Sequence, residues 1–305
     1  MSAVRSSRHR RRTNPVERMM SLARPGSSLP EAADSIVRLV RPRHIGMAVR
    51  DFSHACLIRL VDFPEMPLRT AAVETVKAGH TALIIRSEFP VNDHPVPAAY
   101  KRVRRSAWWK RIGDLFRRNA CQRNFELGLE LLRRGIATAR PLAVIIPRRG
   151  SGSVDSFLAT EWIEGGSNLY RFLGDLQAMP VEQRRLVLPS VCRAVGSLLG
   201  RMHGQGVAHR DLKPGNILVR SGRTISEAFV VDLDGVTLHR DVNPALRARN
   251  VSRLVVTLTS KCRLVSLSNL RRGLAAYLAG CGGAAADWKT VWRAIARETA
   301  RRAKR

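Results

Sequence analysis

The chain has 305 residues, 45% of them hydrophobic, and a formal net charge of +29 from 53 Lys and Arg against 24 Asp and Glu. That apolar content is enough for two adjoining cores and excludes a solvated polymer. Five cysteines, Cys56, Cys121, Cys192, Cys262 and Cys281, are odd in number and lack Cys-x-x-Cys spacing, which speaks against a disulfide framework or a zinc site and for reduced thiols.

In chain order, Arg5, Arg8, Arg10, Arg11 and Arg12 stand among Ser, His, Thr and Pro, a composition that builds no core, so residues 1–30 are expected to be disordered. A capped helix is expected around Glu31 to Leu39. Val76 to Ala78 and Ala82 to Arg86 read as strands joined by a turn with a single glycine, Gly79, where backbone can approach an anion. Val96 to Val103 is a further strand. Gln122 to Arg134 has helical spacing, with Phe125, Leu129 and Leu132 on one line and Leu127 and Leu131 on another. Glu126 and Glu130 share a face of that helix, and Glu130 forms an ordinary solvated pair with Arg134.

Phe157 to Ile163 reads as a buried strand, ended by Glu164-Gly165-Gly166 and a capped helix start at Ser167-Asn168. Val191, Val195, Leu198, Leu199 and Met202 mark a long helix stopped by Gly204 and Gly206; His203 at its end reads as a packing residue. Strands follow at Ile217 to Val219 and Ala228 to Val231. Three apolar stripes, beginning at Leu246, Leu270 and Trp288, read as core-facing helices.

The chemistry lies between the long helix and the second of those strands. Val207-Ala208-His209-Arg210-Asp211-Leu212-Lys213-Pro214-Gly215-Asn216 contains His-Arg-Asp with an asparagine five residues beyond the aspartate, and Asp232 ends the strand after it. Phosphoryl transfer needs a carboxylate to orient or deprotonate the attacking hydroxyl, and oxygen ligands for a metal on the triphosphate, fixed about one line of attack. Asp211 suits the first role, Asn216 and Asp232 the second, and Lys213 sits beside the transferred phosphate. Upstream, Ala-Tyr-Lys within Val96 to Val103 resembles the strand that carries the nucleotide lysine in protein kinases, making Lys101 the candidate and Glu126 its expected helix partner.

These motifs, with Tyr100-Lys101-Arg102, the run Leu131 to Ala143 and Val231-Asp232-Leu233-Asp234-Gly235-Val236, resemble the Kdo/WaaP lipopolysaccharide kinase family over roughly residues 70 to 300. The resemblance implies an α+β, bilobal protein-kinase-like fold: a β-rich N-lobe with one helix over residues 31–160, and a helical C-lobe with the catalytic loop over 161–305. It further implies ATP and Mg²⁺, transfer to a sugar hydroxyl of the lipopolysaccharide core, and main-chain contacts of Glu161 and Ile163 to adenine. Lys77, Gly79 and Thr81 are the candidates for the phosphate turn, since no Gly-x-Gly-x-x-Gly precedes Lys101.

Two departures keep alternatives open. Leu212 to Asn216 is the protein-kinase version of the loop, which leaves a compact Ser/Thr protein kinase as a rival, although Asp232-Leu233-Asp234 replaces Asp-Phe-Gly, no Ala-Pro-Glu follows, and the stretch after Asp232 is short for a regulated activation segment. The poor glycine turn leaves a catalytically silent nucleotide-binding scaffold as another. The arginine excess, 46 Arg to 7 Lys, reads either as a compositional bias or as a surface for an anionic saccharide, a glycolipid or an anionic membrane face. Nucleic acid is not the expected partner: Trp108-Trp109 among Arg104, Arg105, Lys110 and Arg111 is the one place where aromatic and basic residues interleave. With no apolar run long enough to span a bilayer and no secretory leader, the expected location is the cytoplasm.

Overall fold

The computed structural model describes residues 35–70, 74–79, 81–104, 119–152, 154–222, 226–261, 265–282 and 288–303. The N-terminal segment expected to be disordered, His80, Trp108, Trp109 and Cys262 lie outside them.

Seven strands form one antiparallel sheet: β1 (Ile36–Val40), β2 (His44–Val49), β3 (Glu74–Ala78), β4 (Ala82–Val91), β5 (His94–Val103), β6 (Pro141–Pro147) and β7 (Ser156–Glu161), in the order β1-β2-β6-β7-β5-β4-β3. The tightest connection is Asn92-Asp93 between β4 and β5. Both residues have positive φ, 48° and 61°, which is the two-residue turn whose twist matches a right-handed hairpin and which Asn and Asp tolerate. It fixes the register that sets Lys101 opposite Ile84 on one side and Leu158 on the other.

Where the helix expected at Glu31 to Leu39 falls on described residues, the structure shows a strand instead. Ile36–Val40 is an edge strand paired with β2; β-branched Ile36, Val37 and Val40 favour the extended chain, and pairing with β2 satisfies backbone groups that a short terminal helix would leave bare.

Two helices accompany the sheet, α1 (His54–Asp62) and α2 (Ala120–Arg133). Asn119 caps α2, its side chain accepting from the amides of Cys121 and Gln122. The two apolar lines of α2 go to different cores. Phe125 and Leu129 join the sheet core with Leu142, Val144 and Phe157, whereas Leu127 and Leu131 join the core of the helical part with Leu198 and Val207. One helix therefore serves both halves of the molecule. Glu130 and Arg134 do pair at i,i+4, but not in solvent: their side chains are 5% and 8% exposed, and Arg134 Nη1 also donates to the Gln205 carbonyl at 2.6 Å. Periodicity places Glu130 on the outer face, yet the chain beyond α2 folds back over it.

After a two-residue strand, β8 (Ser167–Asn168), come α3 (Leu169–Ala178) and α4 (Val181–Gly204), then β9 (Val207–His209), β10 (Ile217–Ser221), β11 (Ser226–Val230), β12 (Val236–Leu238), α5 (Pro244–Lys261), α6 (Leu267–Gly280) and α7 (Trp288–Ala303). The long helix starts ten residues before the first apolar position read from sequence and runs through Pro189. The helix start at Asn168 stands as expected: its side chain accepts from the Arg171 amide at 2.9 Å. This is the α+β, kinase-like architecture anticipated from sequence.

Backbone contact joins α4 to α6. Gly196, Gly200 and Gly204 recur every fourth residue, and a Cβ at Gly200 would lie 2.2 Å from the Tyr277 carbonyl oxygen, one at Gly196 2.0 Å from that of Gly273. Helix α4 leads directly into the loop that carries Asp211, so this contact fixes the loop's approach. In a free helix Gly→Ala gains about 1 kcal/mol; here the added methyl meets main chain, and overpacking of about 1–3 kcal/mol outweighs that gain. Gly200→Ala is expected to lower the urea midpoint, and a midpoint equal to or above the parent's would show that the two helices can separate freely.

Candidate active site

The loop from Arg210 to Asn216 is held from several directions. Strands β9 and β12 pair antiparallel, His209 opposite Val236, and the Arg210 amide donates to the Gly235 carbonyl at 2.9 Å. From α5, the buried Asn250 accepts from the His209 amide at 2.8 Å and lies 3.3 Å from His203 Nε2, while His203 Nδ1 is 2.8 Å from the Tyr277 hydroxyl. Burial drives the His203 pKa down to about 4, so a neutral ring donates to Asn250 and accepts from Tyr277. His203 is thus a packing residue, as its position suggested. Burial likewise holds the pKa of His209 below its ordinary value; its Nδ1 accepts from the Asp211 amide at 3.2 Å.

Asn216, 5% exposed, donates from Nδ2 to the Asp211 carbonyl at 2.9 Å. That bond engages the amide nitrogen and not the side-chain oxygen. The Val231 amide donates to the Asn216 carbonyl at 2.9 Å, which ties the loop to the segment bearing Asp232. Asp232 has φ 59° and ψ 69°, a left-handed conformation that Asp accepts at modest cost and that clusters at functional sites.

Lys101, 21% exposed, extends from β5 across to that segment. Its Nζ lies 3.6 Å from Asp232 Oδ1 and 4.0 Å from Asp234 Oδ2. The expected lysine partner, Glu126, is not in that position: among the described residues no ion pair joins it to Lys101, and Gln122 donates to its Oε1 at 3.0 Å. Glu130 is held by Arg133 and Arg134. Helix α2 supplies amide and guanidinium groups instead. Asn124 Nδ2 donates to Asp234 Oδ1 at 3.0 Å, and Arg123 Nη2 lies 3.3 Å from the same oxygen and 3.2 Å from the Asp234 carbonyl. The physical reason is that two carboxylates two residues apart attract the lysine more strongly than one on a helix already engaged along its own turn.

Asp211 is half-exposed, and both its oxygens are occupied: Lys213 Nζ donates to Oδ2 at 2.8 Å and Arg253 Nη1 to Oδ1 at 3.2 Å. The Lys213 hydrogen bond, opposed by partial desolvation and reinforced by the charges of Lys213 and Arg253, holds the Asp211 carboxyl below the usual carboxylate range. The group is ionised at neutral pH.

The remaining candidates stand apart from this cluster. Lys77, Gly79 and Thr81 are exposed at the β3–β4 hairpin, with the Gly79 amide donating to Ala82 and the Thr81 carbonyl accepting from Arg104, both at 2.9 Å. No hydrogen bond or ion pair among the described residues links them to Asp211 or Asp232. At the junction after β7, the Glu161 amide donates to the Arg140 carbonyl and the Ile163 carbonyl accepts from the Gly166 amide. Sequence reasoning did not find Asn124, Arg123, Asp234, Asn250 or Arg253. Asp234 was visible only as a departure from Asp-Phe-Gly, and the others carry no local signal, because their partners lie 41 to 111 residues away.

Compared with known proteins, residues 96–265 match the lipopolysaccharide kinase (Kdo/WaaP) family. A segment of 57 residues is 40% identical to MAP kinase-interacting serine/threonine-protein kinase 2 of Xenopus laevis, and one of 89 residues is 32% identical to KEOPS complex subunit Bud32 of Pyrococcus abyssi. These segments cover 18% and 27% of this chain but only 12% and 37% of the relatives' lengths. Among solved structures, WaaP in complex with acyl carrier protein superposes with a TM-score of 0.50 at 18% identity, over 80% of this chain and 95% of that one, a likeness of fold.

Gly235 offers a test of the loop's anchorage. A Cβ there would lie 2.7 Å from His209 Nδ1 and 3.2 Å from the Asp211 amide nitrogen. Gly235→Ala is expected to displace His209 and lower the phosphotransfer rate at least about tenfold, the scale set by an ångström of misplacement, with a smaller effect on thermal stability. An unchanged rate would mean that the His209 ring does not position Asp211.

Proposed function

This chain belongs to the lipopolysaccharide kinase (Kdo/WaaP) family, and on that ground we propose that it transfers the γ-phosphoryl group of ATP to a sugar hydroxyl of a lipopolysaccharide core or related glycolipid acceptor. It is a phosphotransferase by family. The observation that best supports the finer reading is the Lys101–Asp232 pair, 3.6 Å long, beside the Asn216–Asp211 and Val231–Asn216 hydrogen bonds, which gathers the four motif residues about one cleft.

In this reading the acceptor oxygen forms a bond to the γ-phosphorus, the bond from that phosphorus to ADP breaks, and the hydroxyl proton passes to Asp211. Asp211 is held ionised for the purpose. Lys213 and Lys101 place cationic charge beside the phosphates, and the Glu161 carbonyl and Ile163 amide serve the adenine edge. Asn216 and Asp232 form a hard-oxygen pair that fits Mg²⁺ when phosphate oxygens complete its shell; when bound, that ion neutralises the triphosphate. The hairpin with Lys77, Gly79 and Thr81 lies over the phosphates in this proposal, with one glycine in place of the usual several.

A cytoplasmic location at the inner membrane face belongs to the same proposal. No helix among the described residues is long and apolar enough to cross a membrane, and a net charge of +29 suits anionic headgroups.

WaaP was solved in complex with acyl carrier protein, and one feature favours the same class of partner here. An apolar cavity of about 350 Å³ opens among the helices, lined by Leu173, Val191, Leu199, Leu254, Leu270 and Trp292, a size that suits a fatty acyl chain. Acylated carrier protein is expected to raise the melting temperature by a few degrees, unacylated carrier protein to leave it in place, and Leu270→Trp to remove the shift; equal shifts from both carriers would refute the role of the cavity.

The catalytic reading is tested with purified protein, ATP, Mg²⁺ and core oligosaccharide, alongside a protein acceptor. Asp211→Ala is expected to lower transfer to the oligosaccharide about 100-fold or more at nearly unchanged melting temperature, because exposed ion pairs contribute at most about 1 kcal/mol. Transfer at the parent rate would remove Asp211 from the mechanism, and phosphate on protein Ser or Thr alone would favour a compact protein kinase.

A further inference from the structure

The carboxylate proposed to receive the proton is already engaged on both oxygens, and the two cations that engage it have different origins. Lys213 belongs to the loop itself. Arg253 comes from α5, 42 residues on, its side chain 39% exposed and its guanidinium 3.2 Å from Asp211 Oδ1. Arg249 stands one helical turn before it on the same side of α5, and Arg210 adjoins Asp211 in sequence; both are exposed, and neither has an ion-pair partner among the described residues. The nearby carboxylates of Asp232 and Asp234 are matched by Lys101 and Arg123. The surroundings of Asp211 therefore carry an excess of positive charge.

We propose that Arg253 is the residue that selects the acceptor: an anionic group next to the acceptor hydroxyl, a carboxylate or a phosphate ester, draws the Arg253 guanidinium off Asp211 and frees Oδ1 to take the hydroxyl proton. The inference rests on the phosphotransfer reading given above and adds the substrate class. Arginine is suited to the exchange because its planar fork matches carboxylate and phosphate equally well, so one charged pair is traded for another. A neutral sugar must break the Arg253–Asp211 contact with nothing in return.

The test uses two matched pairs of sugars, galacturonate with galactose and glucose 6-phosphate with glucose, so that a carboxylate and a phosphate preference are read separately. Binding is measured calorimetrically for the parent, Arg253→Gln and Arg253→Lys, with circular-dichroism melts as the control on folding. The parent is expected to bind the anionic member of at least one pair about tenfold more tightly. Arg253→Gln is expected to bring that ratio to about one, and Arg253→Lys, which keeps the charge without the fork, to recover part of it. In turnover, Arg253→Gln is expected to raise KM for the anionic sugar and to raise kcat for its neutral partner, since Oδ1 is then uncapped. An anionic preference that survives Arg253→Gln, or a parent with no preference in either pair, overturns the proposal. Should no sugar be phosphorylated while the binding ratio still collapses in Arg253→Gln, the transfer reading fails and the selective role of Arg253 stands.

Discussion

Two carboxylates and the cations drawn to them hold this molecule's halves in working relation. Asp232 and Asp234 sit on one short turn; Lys101 reaches them from the sheet, while Asn124 and Arg123 reach Asp234 from α2. Each contact is partly exposed and weak alone. Together they fix where a strand, a helix and a loop meet, the point at which the proposed function puts the nucleotide. The left-handed backbone at Asp232 is the local cost of pointing its carboxylate to that place.

The catalytic loop is fixed by a separate set of groups. Asn250 accepts from the His209 amide, the Gly235 carbonyl accepts from Arg210, and Asn216 donates to the Asp211 carbonyl. These are mostly buried and neutral, so they supply rigidity without drawing on the charged groups nearby. The charged groups are left to the cleft side.

Much of this was legible from sequence because the informative residues are close together in the chain. Asp211, Lys213 and Asn216 occupy one loop, and Asp232 follows a short hairpin whose strands pair as expected. Lys101 was legible from its strand. Contacts across long stretches of chain were not: the choice of Glu126 followed helix periodicity, which reports the face of α2 but not what crosses the cleft toward it. Glu130 was read as solvated for the same reason, since nothing near it in sequence reveals that it is buried or that its partner Arg134 also binds the Gln205 carbonyl. The edge strand at Ile36 was missed because a lone run of β-branched residues acquires its meaning only from β2.

The buried Glu130–Arg134 pair has a bearing on control. Arg134 binds the Gln205 carbonyl at the end of α4, Asn124 holds Asp234, and Thr138 Oγ1 donates to the Val230 carbonyl at 2.7 Å. An outward swing of α2 would sacrifice the first two, at about 1.5–3 kcal/mol for each bond to a charged group, so the swung-out arrangement would occupy under about one molecule in a hundred. A helix moored in this way is ill suited to act as a throttle.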